Sequence, residues 1–258
     1  MNQRHDTNPN LLYTYIYKKK VISVNDKKPT TNHELLLKPI AYIHTDFPTK
    51  FGIPRQSGLI PSLRATIVFE PEFRNPDALR GIEEFSHLWL IWEFSQSLRD
   101  SWSPTVRPPR LGGNERKGVF ATRSPFRPNP LGLSNVKLDF VEWDTPNGAI
   151  LHVLGADLLD NTPIYDIKPY LPYVDSHEDA TGGFAHAQMH KFLNVVIPEH
   201  LKNRLSIEEQ EIITAILEQD PRPAYQKDPE RVYGFPYAQM EIKFTVKDNV
   251  ATVVGIEL

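Results

Sequence analysis

The chain contains no cysteine. That removes disulfides, thiolate nucleophiles, iron–sulfur clusters and every zinc site built on sulfur. Glycine is scarce beside proline, 13 against 23, so rigid loops are expected and long uninterrupted helices are not. The longest strictly apolar run, Leu88 to Trp92, is far short of a membrane span. Met1 to Asn10 lacks the charged start and apolar core of a secretory signal. No membrane partner is therefore expected, and the cytoplasm is the expected location. Neither G-x-G-x-x-G nor G-x-x-x-x-G-K-[ST] occurs, which disfavours a Rossmann dinucleotide site and a P-loop. His186 and His190 stand four apart, but Ala187 replaces the glutamate of H-E-x-x-H. A solvated pair is the better reading, and no metal is expected.

What remains is a globular composition over 258 residues, 40% hydrophobic and 24% charged, enough for one or two domains. The net charge of −3 selects no partner, but its distribution is uneven. From Arg99 to Arg127 six arginines and one lysine face only Asp100 and Glu115, a net +5 that leaves the remainder at −8. A concentrated basic stretch on an acidic chain suggests a specific anionic partner.

Residues 1–35 read as a polar, lysine-bearing extension with little periodicity. From residue 36 to 179 the chain shows short strand-like runs bounded by turn residues. These are Pro39–His44, Ala65–Glu70, His87–Phe94, Gly118–Arg123, Ser134–Trp143, Ala149–Gly155 and Thr162–Ile167. No helix alternates with them, so a mainly β barrel or sandwich is expected. Residues 180–258 read as a small α+β domain. Ser206 with Glu209 forms a capping box opening a helix to about Gln219, with Ile207, Ile212, Ile213, Ile216 and Leu217 on one face. Tyr237–Val246 and Ala251–Ile256 flank Asp248-Asn249 as a hairpin.

Three segments carry chemistry. Pro104–Pro130 interleaves proline, glycine, aromatics and arginine, as single-stranded RNA sites do; a solvated charged loop is the alternative. Asp157-Leu158-Leu159-Asp160 is a strand-to-turn junction whose carboxylates could take a ribose hydroxyl or an amine, act as a base, or form an Asx-turn. Ser86-His87 lacks the G-x-S-x-G elbow of a hydrolase, which leaves a local turn as the simpler reading.

Five strings, Pro54-Arg-Gln-Ser-Gly-Leu59, Phe85-Ser-His-Leu-Trp89, Arg107–Asn114, Gly118–Arg123 and Phe126–Pro130, strongly resemble the TsaA-like (TrmO) family. Asp166–Pro172 and Asp220–Tyr225 extend the match towards the end of the chain. The resemblance implies a single-sheeted β-barrel that binds S-adenosylmethionine without a Rossmann motif. It also implies a homodimer whose cofactor site lies near the subunit interface. The implied reaction is N6-methylation of N6-threonylcarbamoyladenosine at tRNA position 37, in the anticodon loop. The implied cofactor-binding residues are Pro54, Arg55, Gln56, Ser86, His87, Arg123, Leu133, Asp157, Leu158, Leu159 and Asp160. Where the family has glycine after the second aspartate this chain has Asn161, which tolerates positive φ.

An acylated N6–H is acidic enough for a positioned base. Asp160 is the first candidate, ahead of Asp166 and Tyr170. Arg107, Arg110, Arg116, Lys117, Arg127 and Lys168 are the expected RNA contacts. Two other readings remain at this stage: a catalytically silent RNA-binding barrel, and a methyltransferase with another substrate.

Overall fold

The computed structural model describes residues 35–108, 111, 115–186, 192–222 and 228–258. The expected extension, apart from Leu35, falls outside these residues, as do Arg110 and His190. Contacts divide the chain into Met1–Leu37 and Lys38–Leu258. Of the first, Leu35–Leu37 is exposed and without regular structure.

Six strands close into an antiparallel barrel: β1 (Ala41–Thr45), β2 (Arg64–Phe69), β3 (His87–Glu93), β6 (Leu131–Glu142), β7 (Ile150–Leu154) and β8 (Thr162–Pro169). Their order is β1-β2-β7-β6-β3-β8. Period-two alternation sets the interior. Leu88, Leu90 and Trp92 of β3 point inward, with Ile43, Ile67, Val136, Leu151, Val153 and Ile164 from the other strands. The twelve-residue β6 keeps this pairing through Leu138, then slips register before Phe140. The slip puts Phe140 outside and Val141 inside.

The run expected as a strand at Gly118–Arg123 is different. Only the ribbon β4 (Thr105–Val106) with β5 (Lys117–Gly118) pairs there. Val119–Ala121 then turns as a 3-10 helix closed by the Thr122 N–H on the Val119 carbonyl at 3.1 Å, while the Val119 N–H bonds the Pro104 carbonyl at 2.9 Å and its side chain is buried. The next residue, Phe120, is thereby turned outward.

After the barrel come α1 (Pro172–Asp175), α2 (Gly183–His186), β9 (Asn194–Val196), α3 (Glu199–Lys202), α4 (Ile207–Glu218), β10 (Tyr233–Tyr237), β11 (Met240–Lys247) and β12 (Val250–Glu257). The capping box at the start of α4 forms as expected, with the Glu209 N–H donating to Ser206 Oγ at 3.2 Å and the Ser206 N–H to Glu209 at 2.7 Å. Ile212, Ile213, Ile216 and Leu217 are buried, but Ile207 is 77% exposed. At the first helical position it falls outside the stripe facing the sheet. The hairpin turns at Asp248-Asn249 with both φ positive, 49° and 62°, as a primed turn requires. The sheet order is β10-β11-β12-β9. Neither β9 nor β10 was expected. β9 is three residues long, and β10 carries a proline and a glycine in five.

The loop between β1 and β2 belongs to both parts. Phe47, Ile60 and Leu63 are buried in the core formed by α4 and the β10–β12 sheet. Their backbone bonds run back to the barrel: the Asp160 N–H donates to Phe47 O, and the Gly155 N–H to Leu63 O. Gly52, at φ 99°, lies against Phe235; a Cβ there would sit 2.8 Å from that ring. Gly52→Ala adds left-handed strain to this overlap. It should lower unfolding free energy by roughly 1–3 kcal/mol, read as an earlier urea midpoint with unchanged slope.

Candidate active site

A cleft of about 510 Å³ opens at the end of the barrel where β3 finishes and β6 begins. Its size suits a small organic ligand. Three segments build it. The β1–β2 loop contributes Ile53, Pro54, Arg55 and Gln56, the end of β3 contributes Trp92 to Phe94, and the start of β6 contributes Leu131 to Leu133. Arg123, Arg127 and Lys50 supply positive charge, and Asp157 lies on the wall beside Leu159 and Thr162.

The floor depends on one close approach. Trp92 pairs with Gly132 across β3 and β6. A Cβ at Gly132 would lie 2.2 Å from the indole, so the ring occupies the space that any side chain would need. So placed, the indole N–H donates to Ser134 Oγ at 2.9 Å, and that hydroxyl donates to Asp157 Oδ1 at 2.6 Å. Burial pushes the Asp157 carboxyl above its ordinary value. The Ser134 hydroxyl, backbone N–H groups at Asp157 and Ser57, and the Arg123 charge oppose that rise only in part. Arg123 is held in turn by the Gln56 side-chain oxygen, and Arg55 donates to the Asp220 carbonyl at 3.1 Å. The cleft's loop is thus tied to the end of α4.

Of the expected cofactor residues, Pro54, Arg55, Gln56, Arg123, Leu133, Asp157 and Leu159 converge on this cleft. Leu158 is buried in the barrel core. Asp160 does not line the cleft. Its carboxylate accepts from the Thr45 N–H at 3.2 Å and from Asn161 at 2.9 Å, with His44 Nδ1 at 3.3 Å, which fastens the end of β1. Asn161 adopts φ 58°, the conformation expected of a residue standing in for glycine. Ser86 and His87 bond each other at 2.9 Å at the far end of β3, roughly 20 Å from Glu93 by strand rise. Tyr170 packs beside His87 and Trp89 there. Asp166 and Lys168 pair on β8 at 2.8 Å, away from the cleft. Lys117 pairs with Glu115. Arg107 and Arg116 are exposed and have no carboxylate partner among the described residues, whereas Arg127 reaches both the cleft and the Thr122 carbonyl.

Glu93, Trp92 and Phe94 are cleft residues that sequence reasoning missed. Their only signal is position at the end of an alternating strand. Among the described residues, no cluster of three His, Asp or Glu could hold a metal, and no helix is long and apolar enough to cross a membrane.

Known proteins share this architecture and its sequence. Residues 42–176 match the model of the tRNA-methyltransferase O N-terminal domain, and residues 190–258 that of the TrmO C-terminal domain. The chain belongs to the TrmO family. It is 39% identical to the tRNA (adenine(37)-N6)-methyltransferase of Escherichia coli K12 over 226 residues, covering 84% of this chain and 96% of that protein. A putative S-adenosylmethionine-dependent methyltransferase of Pseudomonas aeruginosa is 45% identical over 77% of this chain and 87% of its own length. A crystal structure of TrmO from Pseudomonas aeruginosa superposes with a TM-score of 0.68 at 34% identity, over 87% of this chain and all of that one.

Because burial raises the Asp157 pKa, the protonated form is favoured by folding. Its contribution is full below the ordinary carboxylate range and is lost as pH rises through the raised value. Asp157→Asn keeps an acceptor for Ser134 and removes the buried charge. The variant should melt above the unaltered protein at neutral pH, with the gap closing on acidification. Scanning calorimetry across pH checks this, and a lower melting temperature at neutral pH would count against it.

Proposed function

We propose that the protein is an S-adenosylmethionine-dependent tRNA methyltransferase that methylates N6 of the adenine at position 37. Its substrate base is N6-threonylcarbamoyladenosine in the anticodon loop. The observation that carries this reading is the convergence of Pro54–Gln56, Arg123, Leu133 and Asp157 on one cleft, in a family whose relatives are named for the reaction.

The cleft's residues fit the cofactor. Lys50, Arg123 and Arg127 suit a carboxylate. The apolar strip of Ile53, Pro54, Leu131 and Leu133 suits a purine ring, and Glu93 and Asp157 suit hydroxyl or ammonium donors. When bound, S-adenosylmethionine would supply an electrophilic methyl group on a sulfonium centre, whose carbon–sulfur bond breaks on transfer so that the sulfur leaves as a neutral thioether. The protein's task is alignment and proton removal. Asp157 lies in the cleft and Asp160 does not, so we assign the base to Asp157. An Asp157 oxygen takes the N6 proton, which leaves the N6 lone pair free to accept the methyl group. A carboxyl with a raised pKa holds that proton better than an ordinary one. Trp92 and Ser134 fix its orientation.

Ser86, His87 and Tyr170 lie too far along β3 to serve the same cleft. We assign them to the cleft of a second copy in a homodimer, with the 157–160 turn kept in the cofactor site. A tRNA substrate supports a cytoplasmic reaction. Arg107 and Arg116, exposed and without a carboxylate partner among the described residues, supply RNA contacts.

Two measurements test this. Nucleoside mass spectrometry of tRNA incubated with the protein and S-adenosylmethionine should show one added methyl on N6-threonylcarbamoyladenosine; cofactor binding without any transfer would leave only an RNA-binding barrel. Arg123→Ala should weaken S-adenosylmethionine roughly ten- to hundredfold in calorimetry, the worth of one charge-assisted hydrogen bond. Unchanged affinity would remove Arg123 from the site.

A further inference from the structure

Two large aromatic side chains outside the cleft lining stand in solvent, with no role in the proposed reaction. Trp102 is 50% exposed and Phe120 is 73% exposed, with ring centroids 6.2 Å apart and planes tilted by 30°. They are not loose. Burial of Val119 and its bond to Pro104 pin the 3-10 turn that projects Phe120 outward. Three residues later the same segment delivers Arg123 into the cleft. The segments that carry the pair also carry arginines with no carboxylate partner among the described residues. Arg116 is held by Thr105 Oγ1 at 2.8 Å, and Arg99 lies 3.5 Å over the Phe126 ring. Arg107 sits at the end of the β4 strand.

Exposed apolar rings among unneutralised guanidinium groups suit a partner that is flat, apolar on its faces and anionic at its edges. A nucleobase on its phosphate backbone is such a partner. We propose that Trp102 and Phe120 form a stacking platform for a base flanking the methylated adenine, with Arg99, Arg107 and Arg116 on the adjoining phosphates. The proposal rests on the tRNA reading. It supplies what that reading lacks, because a base whose N6 must enter a cleft leaves its stack, and its neighbour needs a replacement surface.

The test uses the full chain and a synthetic anticodon stem-loop carrying 2-aminopurine beside position 37. Wild-type protein should quench the probe. Trp102→Ala and Phe120→Ala should each weaken RNA binding roughly five- to hundredfold, the worth of one stacked base, and should lose the quench. Trp102→Phe and Phe120→Tyr should retain both. Calorimetric affinity for S-adenosylmethionine should not change in any of them. RNA binding as tight as wild type in the alanine variants overturns the platform while leaving the methyltransferase reading intact. A fall in cofactor affinity overturns it by assigning the pair to the cleft. A changed sedimentation coefficient overturns it in favour of a contact between copies of this chain. If the wild-type protein binds and quenches the RNA but transfers no methyl group, the platform stands and the enzymatic reading falls.

Discussion

The indole of Trp92 can lie flat against the barrel wall only because position 132 carries no side chain. From that contact follows the alignment of the cleft floor. The indole N–H meets Ser134, Ser134 meets Asp157, and the carboxylate is held where burial raises its pKa. Each link satisfies a polar group that would otherwise be buried unpaired at a cost of about 1–3 kcal/mol. The same geometry that stabilises Trp92 therefore orients the acceptor. Under the proposed reading, that half-buried carboxylate is a base suited to an acidified N–H.

The second constraint is the loop between β1 and β2. Its apolar residues Phe47, Ile60 and Leu63 complete the core beneath α4, while Pro54, Arg55 and Gln56 between them face the cleft. A loop buried at both ends presents its middle with little freedom, so less entropy is lost when a ligand binds. Arg55 reaching the Asp220 carbonyl adds a direct tie between this loop and the end of α4.

Much of this was legible in the sequence where local rules decide. Alternation located the barrel strands, the Ser206–Glu209 box located α4, and Asp248-Asn249 located a hairpin turn. Asn161 proved to be a working substitute for glycine. The strand expected over residues 118–123 ends at Gly118, where burial of Val119 and the Thr122 bond to its carbonyl turn the chain into a 3-10 helix. Ile207 was misplaced by one helical position. Seven of the eleven expected cofactor residues line one cleft, Asp157 among them and Asp160 not. Three residues along one turn, one faces the cleft and the other fastens β1. That distinction is set by tertiary partners, Ser134 for one and Thr45 for the other.

Under the proposed reading Asp157, held by Ser134 and Trp92, takes the N6 proton. The most direct test is single-turnover methyl transfer to tRNA by Asp157→Asn across a range of pH, with S-adenosylmethionine affinity measured alongside. The expected result, at saturating S-adenosylmethionine, is a rate lower by roughly 10²–10⁴-fold whatever the change in cofactor affinity, and loss of the acidic limb expected of the unaltered protein. A near-normal rate with the acidic limb intact would contradict the assignment.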